Sequence, residues 1–133
     1  MRLAQLLILF LITFGLYCCE KENDISLQSK LTGKWEWKSS VGGLTGTLTV
    51  LPTSKVILIL NADKTFQLTS DGQLTDHGNY SIITISSIFT QKNETALDLN
   101  NANNGRLIEI RNDSLFLTDN HVEPYRSLYL KVK

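Results

Sequence analysis

Short runs of β-branched and aromatic residues, each ended by turn-forming residues, occupy the chain from residue 31 onward. In the first run, Trp35, Trp37 and Ser39 alternate with lysine and glutamate. Such alternation predicts a strand with one buried face. Every residue in the run 56–60 is apolar, which is typical of a strand covered on both faces. Because no long window repeats apolar residues at the spacing of a helix face, we expect an all-β domain.

Turn sequences separate these runs at short intervals. Asp71-Gly72 is a two-residue hairpin sequence, and Asn112-Asp113 lies between two later runs. The pattern therefore predicts eight or nine short antiparallel strands that form either a closed barrel or a sandwich. The predicted strands cover residues 34–40, 45–50, 55–60, 65–69, 73–81 with a continuation at 82–88, 96–99, 106–111, 115–118 and 125–132.

The N-terminal segment has the composition of a secretory signal. Arg2 precedes an apolar stretch from residue 3 to 17, and charged residues begin at Glu20. A positive start, a short apolar middle and a small-residue exit are typical of a signal peptide. The apolar stretch is shorter than the roughly 20 residues that span a bilayer. We therefore expect the chain to leave the cytoplasm.

Leu16-Tyr17-Cys18-Cys19 resembles the lipoprotein box of bacteria. Only Cys19 fits the modified position, because Cys18 would require a small residue where Tyr17 stands. The resemblance implies a signal peptide over residues 1–18, a mature chain that starts at Cys19, and a membrane anchor of two or more acyl chains. The alternative is an ordinary signal peptide with two incidental cysteines.

The segment after the cysteine is polar and lacks periodicity. We interpret residues 19–30 as a flexible tether and residues 31–133 as a single domain. Its first part, Glu20 to Asp24, resembles the charged export tag of Bacteroidetes surface lipoproteins. That likeness implies an outer-membrane protein, lipid-anchored on the periplasmic or the cell-surface side.

Charge and cysteine content exclude several classes of function. The chain has 13 basic and 13 acidic residues and no run of lysine or arginine, so no electrostatic feature favours nucleic acid. Its only two cysteines are Cys18 and Cys19. The domain therefore has no thiol for a disulfide, a metal or a nucleophile.

Three short sequences carry a resemblance to a known family. Gly33-Lys34-Trp35 at the start of the first strand resembles the Gly-x-Trp motif of lipocalins, and 61–66 and 78–80 match the hairpin and the Gly-x-Tyr strand of bacterial lipocalin-like lipoproteins. The resemblance extends over about residues 31–81. It implies a small up-and-down barrel of the lipocalin or calycin type, with Gly33, Trp35 and Arg126 as its structural motif. Arg126 would pack over the Trp35 ring.

The resemblance also implies an interior that can hold a small hydrophobic or amphipathic molecule. We expect five large side chains to face it, namely those of Trp37, Phe66, Leu68, Tyr80 and Ile82. An eight-stranded barrel is either just filled by side chains or leaves room for one small ligand. Two functions therefore stay open: ligand binding in the barrel, or a packed barrel that serves as a surface interaction module through the loops 39–44 and 91–105.

Catalytic and metal-binding patterns are missing from the sequence. No nucleophile-elbow or Gly-rich phosphate loop occurs, and the only histidines, His77 and His121, lie far apart in turn-like settings. A metal site needs further ligands at defined spacing. We expect no enzymatic activity, no metal and no cofactor.

The lipoprotein interpretation predicts opposite results for the two cysteines. Cys19→Ala removes the acyl acceptor, so the protein should move from the membrane fraction to the soluble fraction of extracytoplasmic extracts. Cys18→Ala leaves a small residue before the acceptor, so this control should stay with the membrane. Fractionation followed by immunoblotting measures both. A Cys19→Ala protein that stays in the membrane fraction would contradict the interpretation.

Overall fold

The computed structural model describes residues 20–133, with side chains from Ser26 onward. The predicted signal peptide and Cys19 lie outside the described residues. One helix precedes nine strands. The elements are α1 (Glu20–Leu31), β1 (Gly33–Gly42), β2 (Leu48–Val50), β3 (Val56–Leu60), β4 (Thr65–Ser70), β5 (Gln73–Ser86), β6 (Asn93–Leu99), β7 (Arg106–Arg111), β8 (Ser114–Thr118) and β9 (Tyr125–Lys131).

The nine strands form one antiparallel sheet that closes on itself. Its order is β2-β1-β3-β4-β5-β6-β7-β8-β9, and β9 also pairs with β1. Eight strands therefore form an up-and-down barrel, while β2 extends the sheet beside the end of β1, opposite Ser40 to Gly42. The predicted all-β class and the eight- or nine-stranded barrel are confirmed.

Strand β1 departs from simple alternation at one point. Its pairing with β9 shifts register between Trp37 and Ser39, which leaves Lys38 as a bulge. A bulge inserts one residue, so the side chains after it point to the opposite face from the one that regular alternation predicts. Ser40 is consequently buried, with 7% of its surface exposed, whereas regular alternation had predicted that Ser39 would share the face of the tryptophans.

The barrel core is built from side chains of most of the strands together with one from the helix. Trp35 is fully buried at its centre, and the neighbouring buried side chains come from strands on every side of it. Because side chains meet at near-crystalline density in such cores, each large residue fixes the positions of its neighbours. The buried members of the cluster are Leu31, Trp35, Leu58, Leu60, Phe66, Tyr80, Leu97, Leu115, Leu117 and Tyr129.

The segment expected to be a flexible tether forms helix α1 instead. Leu27 and Leu31, one helical turn apart, pack against the core, and Leu31 has no exposed surface. The Trp35 indole N–H donates to the Leu31 carbonyl at 2.7 Å, and the Gln28 amide donates to Ala62 O at 2.7 Å. Two apolar residues at one-turn spacing are too few for a periodicity signal, so this helix depends on tertiary contacts. Within residues 20–133, no helix has the length and apolar content that crossing a bilayer requires.

The cation expected over Trp35 is also a different residue. Lys131, not Arg126, lies over the Trp35 ring, with Nζ 5.1 Å from the ring centre. Arg126 lies 4.0 Å from the centre of the Phe116 ring and forms an ion pair with Glu109. The register explains the difference. Lys131 stands opposite Trp35 across β1 and β9, and directly paired residues share a face, whereas Arg126 is five residues earlier and faces outward.

Gly33 lies in a backbone conformation that favours glycine. Its φ is +139°, a conformation that residues with a Cβ rarely adopt. An added Cβ would also lie 3.1 Å from Lys131 Cε. Glycine at this position therefore lets the chain turn from α1 into β1 beneath the lysine that covers Trp35.

The docked helix predicts a clear stability difference between two leucines. Leu31→Ala leaves a cavity beneath Trp35 and should lower the free energy of unfolding by about 2–4 kcal/mol. Leu44→Ala, at a side chain that is 83% exposed, should change it by less than about 0.5 kcal/mol. Urea unfolding measures both. Equal effects of the two substitutions would show that α1 does not pack on the barrel.

Candidate ligand-binding site

The five residues predicted to line the barrel interior do come together there. Phe66 and Tyr80 belong to the buried core, and Trp37, Leu68 and Ile82 are partly buried against it. The two clefts described below are lined by other residues. The five side chains belong to or pack against the core around Trp35.

Tyr80 joins this core to the turn between β3 and β4. Its hydroxyl donates to the Asn61 carbonyl at 2.8 Å. Burial raises the pKa of the Tyr80 phenol above its ordinary value, and the nearby Asp63 carboxylate acts in the same direction. The phenol is therefore neutral at physiological pH and acts as a hydrogen-bond donor that holds this end of the barrel.

A chain of polar side chains leads from the core toward the other end. The Trp37 indole N–H donates to Ser40 Oγ at 3.0 Å, and the Ser40 and Ser127 hydroxyls are 2.7 Å apart. Arg106 Nη2 donates to Ser127 Oγ at 2.7 Å. Because both serines are nearly buried, these bonds satisfy groups that would otherwise be costly to remove from water.

Arg106 ends this chain as an inward-facing cation. It stands opposite Leu97 on β6, a core residue, so its side chain shares the interior face. Its Nε donates to Asp119 Oδ1 at 2.9 Å, and its Nη2 also donates to Leu117 O at 3.2 Å. With 26% of its side chain exposed, Arg106 reaches from the interior to solvent.

Asp119 holds the loop between β8 and β9 against Arg106. Besides the Arg106 pair, its Oδ2 accepts the backbone N–H of Tyr125 at 3.2 Å. The imidazole Nε2 of His121 lies 3.6 Å from the same oxygen. Both carboxylate oxygens therefore already face donors of the protein.

An open cleft of about 560 Å³ lies beside this ion pair. Strands β6 and β7 pair through only two residue pairs, so the β5–β6 hairpin diverges from β7. The Asn120 side chain joins the hairpin to the β8–β9 loop: its Nδ2 donates to Ser86 O, and its Oδ1 accepts the Ile88 N–H, both at 2.9 Å. The residues that line the cleft are Ile85, Asn103, Asn104, Gly105, Arg106, Asp119, Asn120 and His121.

The loop between β6 and β7 forms one wall of the cleft and is held from within. Asn100, Asn101 and Asn103 all have positive φ, which asparagine tolerates better than most residues. The nearly buried Asp98 accepts the backbone N–H of Ala102 at 3.1 Å. These features give a polar asparagine-rich loop a defined turn beside Arg106.

A second, smaller cleft of about 250 Å³ lies at the α1 end of the barrel. It is lined by Lys30, Ile110, Asn112, Asp113 and Lys131. Lys131 also covers Trp35, as described above, and its Nζ is 3.5 Å from the Lys30 carbonyl. This cleft is therefore the seam between the helix and the barrel.

The sequence analysis did not identify Arg106 or Asp119 as site residues. The alternation of Arg106, Ile108 and Ile110 along one strand was a usable signal, because residues two apart share a face. Of the two histidines, His121 lines the cleft and His77 is exposed on β5 opposite Gln67. From Ser26 to Lys133, no group of three or more His, Cys, Asp or Glu side chains is placed to hold a metal ion.

Comparison of the chain with family models, with curated proteins and with solved structures found no match. The likeness to lipocalin-like lipoproteins therefore stays a prediction from the sequence. What can be argued about function depends on the site geometry.

The polar chain predicts coupling between its two serines. Ser127→Ala removes the hydroxyl that accepts from Arg106 and bonds to the Ser40 hydroxyl, and we expect a loss of about 1–3 kcal/mol in unfolding free energy. Ser40→Ala should lower the unfolding free energy less in the Ser127→Ala background than in the unmodified protein. The interaction energy should be at least about 0.5 kcal/mol. Urea unfolding of the double-mutant cycle measures this energy. Ser40 and Ser114 share no hydrogen bond, so as a control the effects of Ser40→Ala and Ser114→Ala should be additive. Additive effects of Ser40→Ala and Ser127→Ala would contradict the hydrogen-bond network.

Proposed function

We propose that this protein is a lipid-anchored extracytoplasmic binding protein that holds a small amphipathic molecule in the cleft beside Arg106. The observation that carries the proposal is an interior cation that opens into a cleft of about 560 Å³. That volume is within the usual range for small-molecule sites, which combine apolar walls with a few oriented polar groups. The barrel would serve as a lipocalin-like scaffold without enzymatic activity.

The proposal places the ligand at the mouth of the barrel and not deep inside it. Phe66 and Tyr80 are at most 2% exposed, and the core around Trp35 is filled. A ligand in the interior would have to displace side chains packed at the density of a protein core, which is costly. The cleft needs no such displacement.

Apolar side chains lie in the cleft and on two loops next to its lining residues. Ile85, in β5, lines the cleft directly. Ile88, whose N–H donates to Asn120 of the lining, and Phe89 are 48% and 49% exposed, and Val122, next to His121, is 80% exposed. Exposed apolar residues beside a cleft favour an interaction site. They supply the apolar half of an amphipathic site whose polar half is Arg106.

The position of α1 supports the proposed anchor geometry. The helix begins at Glu20, directly after the predicted acylated cysteine, and its 12 residues span about 18 Å at 1.5 Å per residue. Arg106 and Asn112 lie at opposite ends of β7, and Asn112 lines the cleft next to α1. A membrane on the α1 side of the barrel would leave the Arg106 cleft on the far side, accessible to ligand.

A second candidate function has its own observation. Leu44, Leu48 and Leu51, around β2, are 83%, 53% and 65% exposed, and β2 is an edge strand of the sheet. Exposed apolar edges favour pairing with another chain. This surface would suit an interaction module with a packed barrel.

Binding of the neutral apolar fluorophore N-phenyl-1-naphthylamine distinguishes the two. We expect saturable fluorescence enhancement by the protein, reduced at least about fivefold in affinity by Ile85→Asp, because a charge in the apolar wall of the cleft must be desolvated. Leu74→Asp, at an exposed apolar position outside the cleft, is the matched control and should bind as the unmodified protein does. Equal loss in both variants, or no saturable binding, would contradict the proposal.

A further inference from the structure

We infer that the cleft selects amphipathic monoanions, with a carboxylate bound to Arg106. This inference deepens the proposed function and rests on it, since it names the chemical class of the ligand. It follows from which hydrogen-bonding groups at the cleft are already used by the protein and which are not.

The Arg106 guanidinium has one amino group left for a ligand. Nε and Nη2 are used by Asp119, Ser127 and Leu117 O. Nη1 makes no hydrogen bond to any residue within 26–133. No buried side-chain nitrogen or oxygen in that part of the chain lacks a partner, so Nη1 must be accessible to solvent. Since Arg106 lines the cleft, this donor is available there.

Both carboxylate oxygens of Asp119 already face donors of the protein, whereas Arg106 has an amino group without a partner among the described residues. Oδ1 of Asp119 accepts from Arg106, while its Oδ2 accepts from the Tyr125 N–H and lies 3.6 Å from the His121 imidazole. Arginine only donates hydrogen bonds and a carboxylate only accepts them. The polar feature open to a ligand is consequently the Nη1 donor of a cation, and an oxyanion is the group that complements it.

The charge of the pair favours one negative charge on the ligand. Arg106 and Asp119 are 26% and 23% exposed, so neither is fully screened by water, and together they are neutral. A monoanion gains a charge-assisted hydrogen bond from Nη1. A second negative charge would find no matching cation, since Arg106 is the only lysine or arginine that lines the cleft.

The Asp119 pairing also fixes the direction of the arginine. Two of its nitrogens are bound to groups from β8, β9 and the loop between them, which leaves Nη1 as the outward member of a planar group. Ile85 lines the same cleft as Arg106, so it offers an apolar contact for the alkyl chain of a carboxylate bound at Nη1. Head and tail of one ligand can thus contact the site at once.

Three eight-carbon probes of different charge test this inference. The protein is reconstituted in phosphatidylcholine vesicles, and equilibrium dialysis measures the binding of octanoate, octanol and octylamine against protein-free vesicles. We expect octanoate to bind roughly tenfold or more tightly than octanol, and octylamine to bind more weakly than octanol. Raising the salt concentration should weaken octanoate binding and leave octanol binding unchanged.

Two substitutions should shift octanoate affinity in opposite directions. Arg106→Met removes the donor and should lower the affinity roughly 10- to 100-fold toward that of octanol. Asp119→Asn keeps an acceptor for Nε, loses the weaker acceptor of the Tyr125 N–H at 3.2 Å, and removes the competing negative charge, so affinity should rise several-fold. Arg126→Met, at an arginine on the outer face of β9, is the matched control and should leave octanoate binding unchanged.

The outcomes separate this inference from the proposed function. Equal binding of octanoate and octanol, unaffected by Arg106→Met, would overturn the choice of a carboxylate and leave amphipathic binding intact. Absence of binding by all three probes would overturn both. A loss of affinity in Asp119→Asn similar to that in Arg106→Met would show that the pair only maintains the loop, and would also overturn the inference.

Discussion

The pairing of β1 with β9 is the interaction on which the rest of the structure depends. Seven residue pairs from Trp35 to Gly42 join the first and last barrel strands. Closure removes the open edges of the sheet between these two strands. It also brings together residues about 90 positions apart, so that Lys131 covers Trp35 at one end and Ser127 meets Ser40 nearer the other. The β1–β9 pairing therefore determines which side chains meet at both ends of the barrel.

The strands were predictable from the sequence because their signals are local. Alternation located β1, and turn residues such as Asp71-Gly72 set the connections. Features that depend on register were not predictable in this way. The bulge at Lys38 reverses one face of β1, and the residue above Trp35 is determined by which β9 residue stands opposite it. Helix α1 was missed for the same reason, because its stability comes from the docking of Leu27 and Leu31 on a barrel that the local sequence does not reveal.

The candidate site was less predictable than the fold, because its parts come from separate elements. Arg106 begins β7, Asp119 follows β8, Ser127 lies in β9, and Ser40 lies in β1. Arg106 shares the inner face of β7 with Ile108 and Ile110, but no local pattern pairs it with Asp119, 13 residues later. Large aromatic residues were predicted as possible ligand contacts, yet in this barrel they pack with Trp35 in the core.

The hydrogen-bonded series of polar side chains connects the core around Trp35 with the cleft beside Arg106. The buried donors of a partly buried arginine need partners, and for Arg106 these are the Ser127 hydroxyl, a β8 carbonyl and Asp119. Ser127 is in turn held by Ser40, which accepts from Trp37 in the core. A guanidinium fixed at one edge by this network loses little freedom when its remaining amino group binds a ligand, which favours affinity through pre-organisation. In the proposed function, the packed interior would therefore contribute to binding at the mouth of the barrel by holding the cation in place.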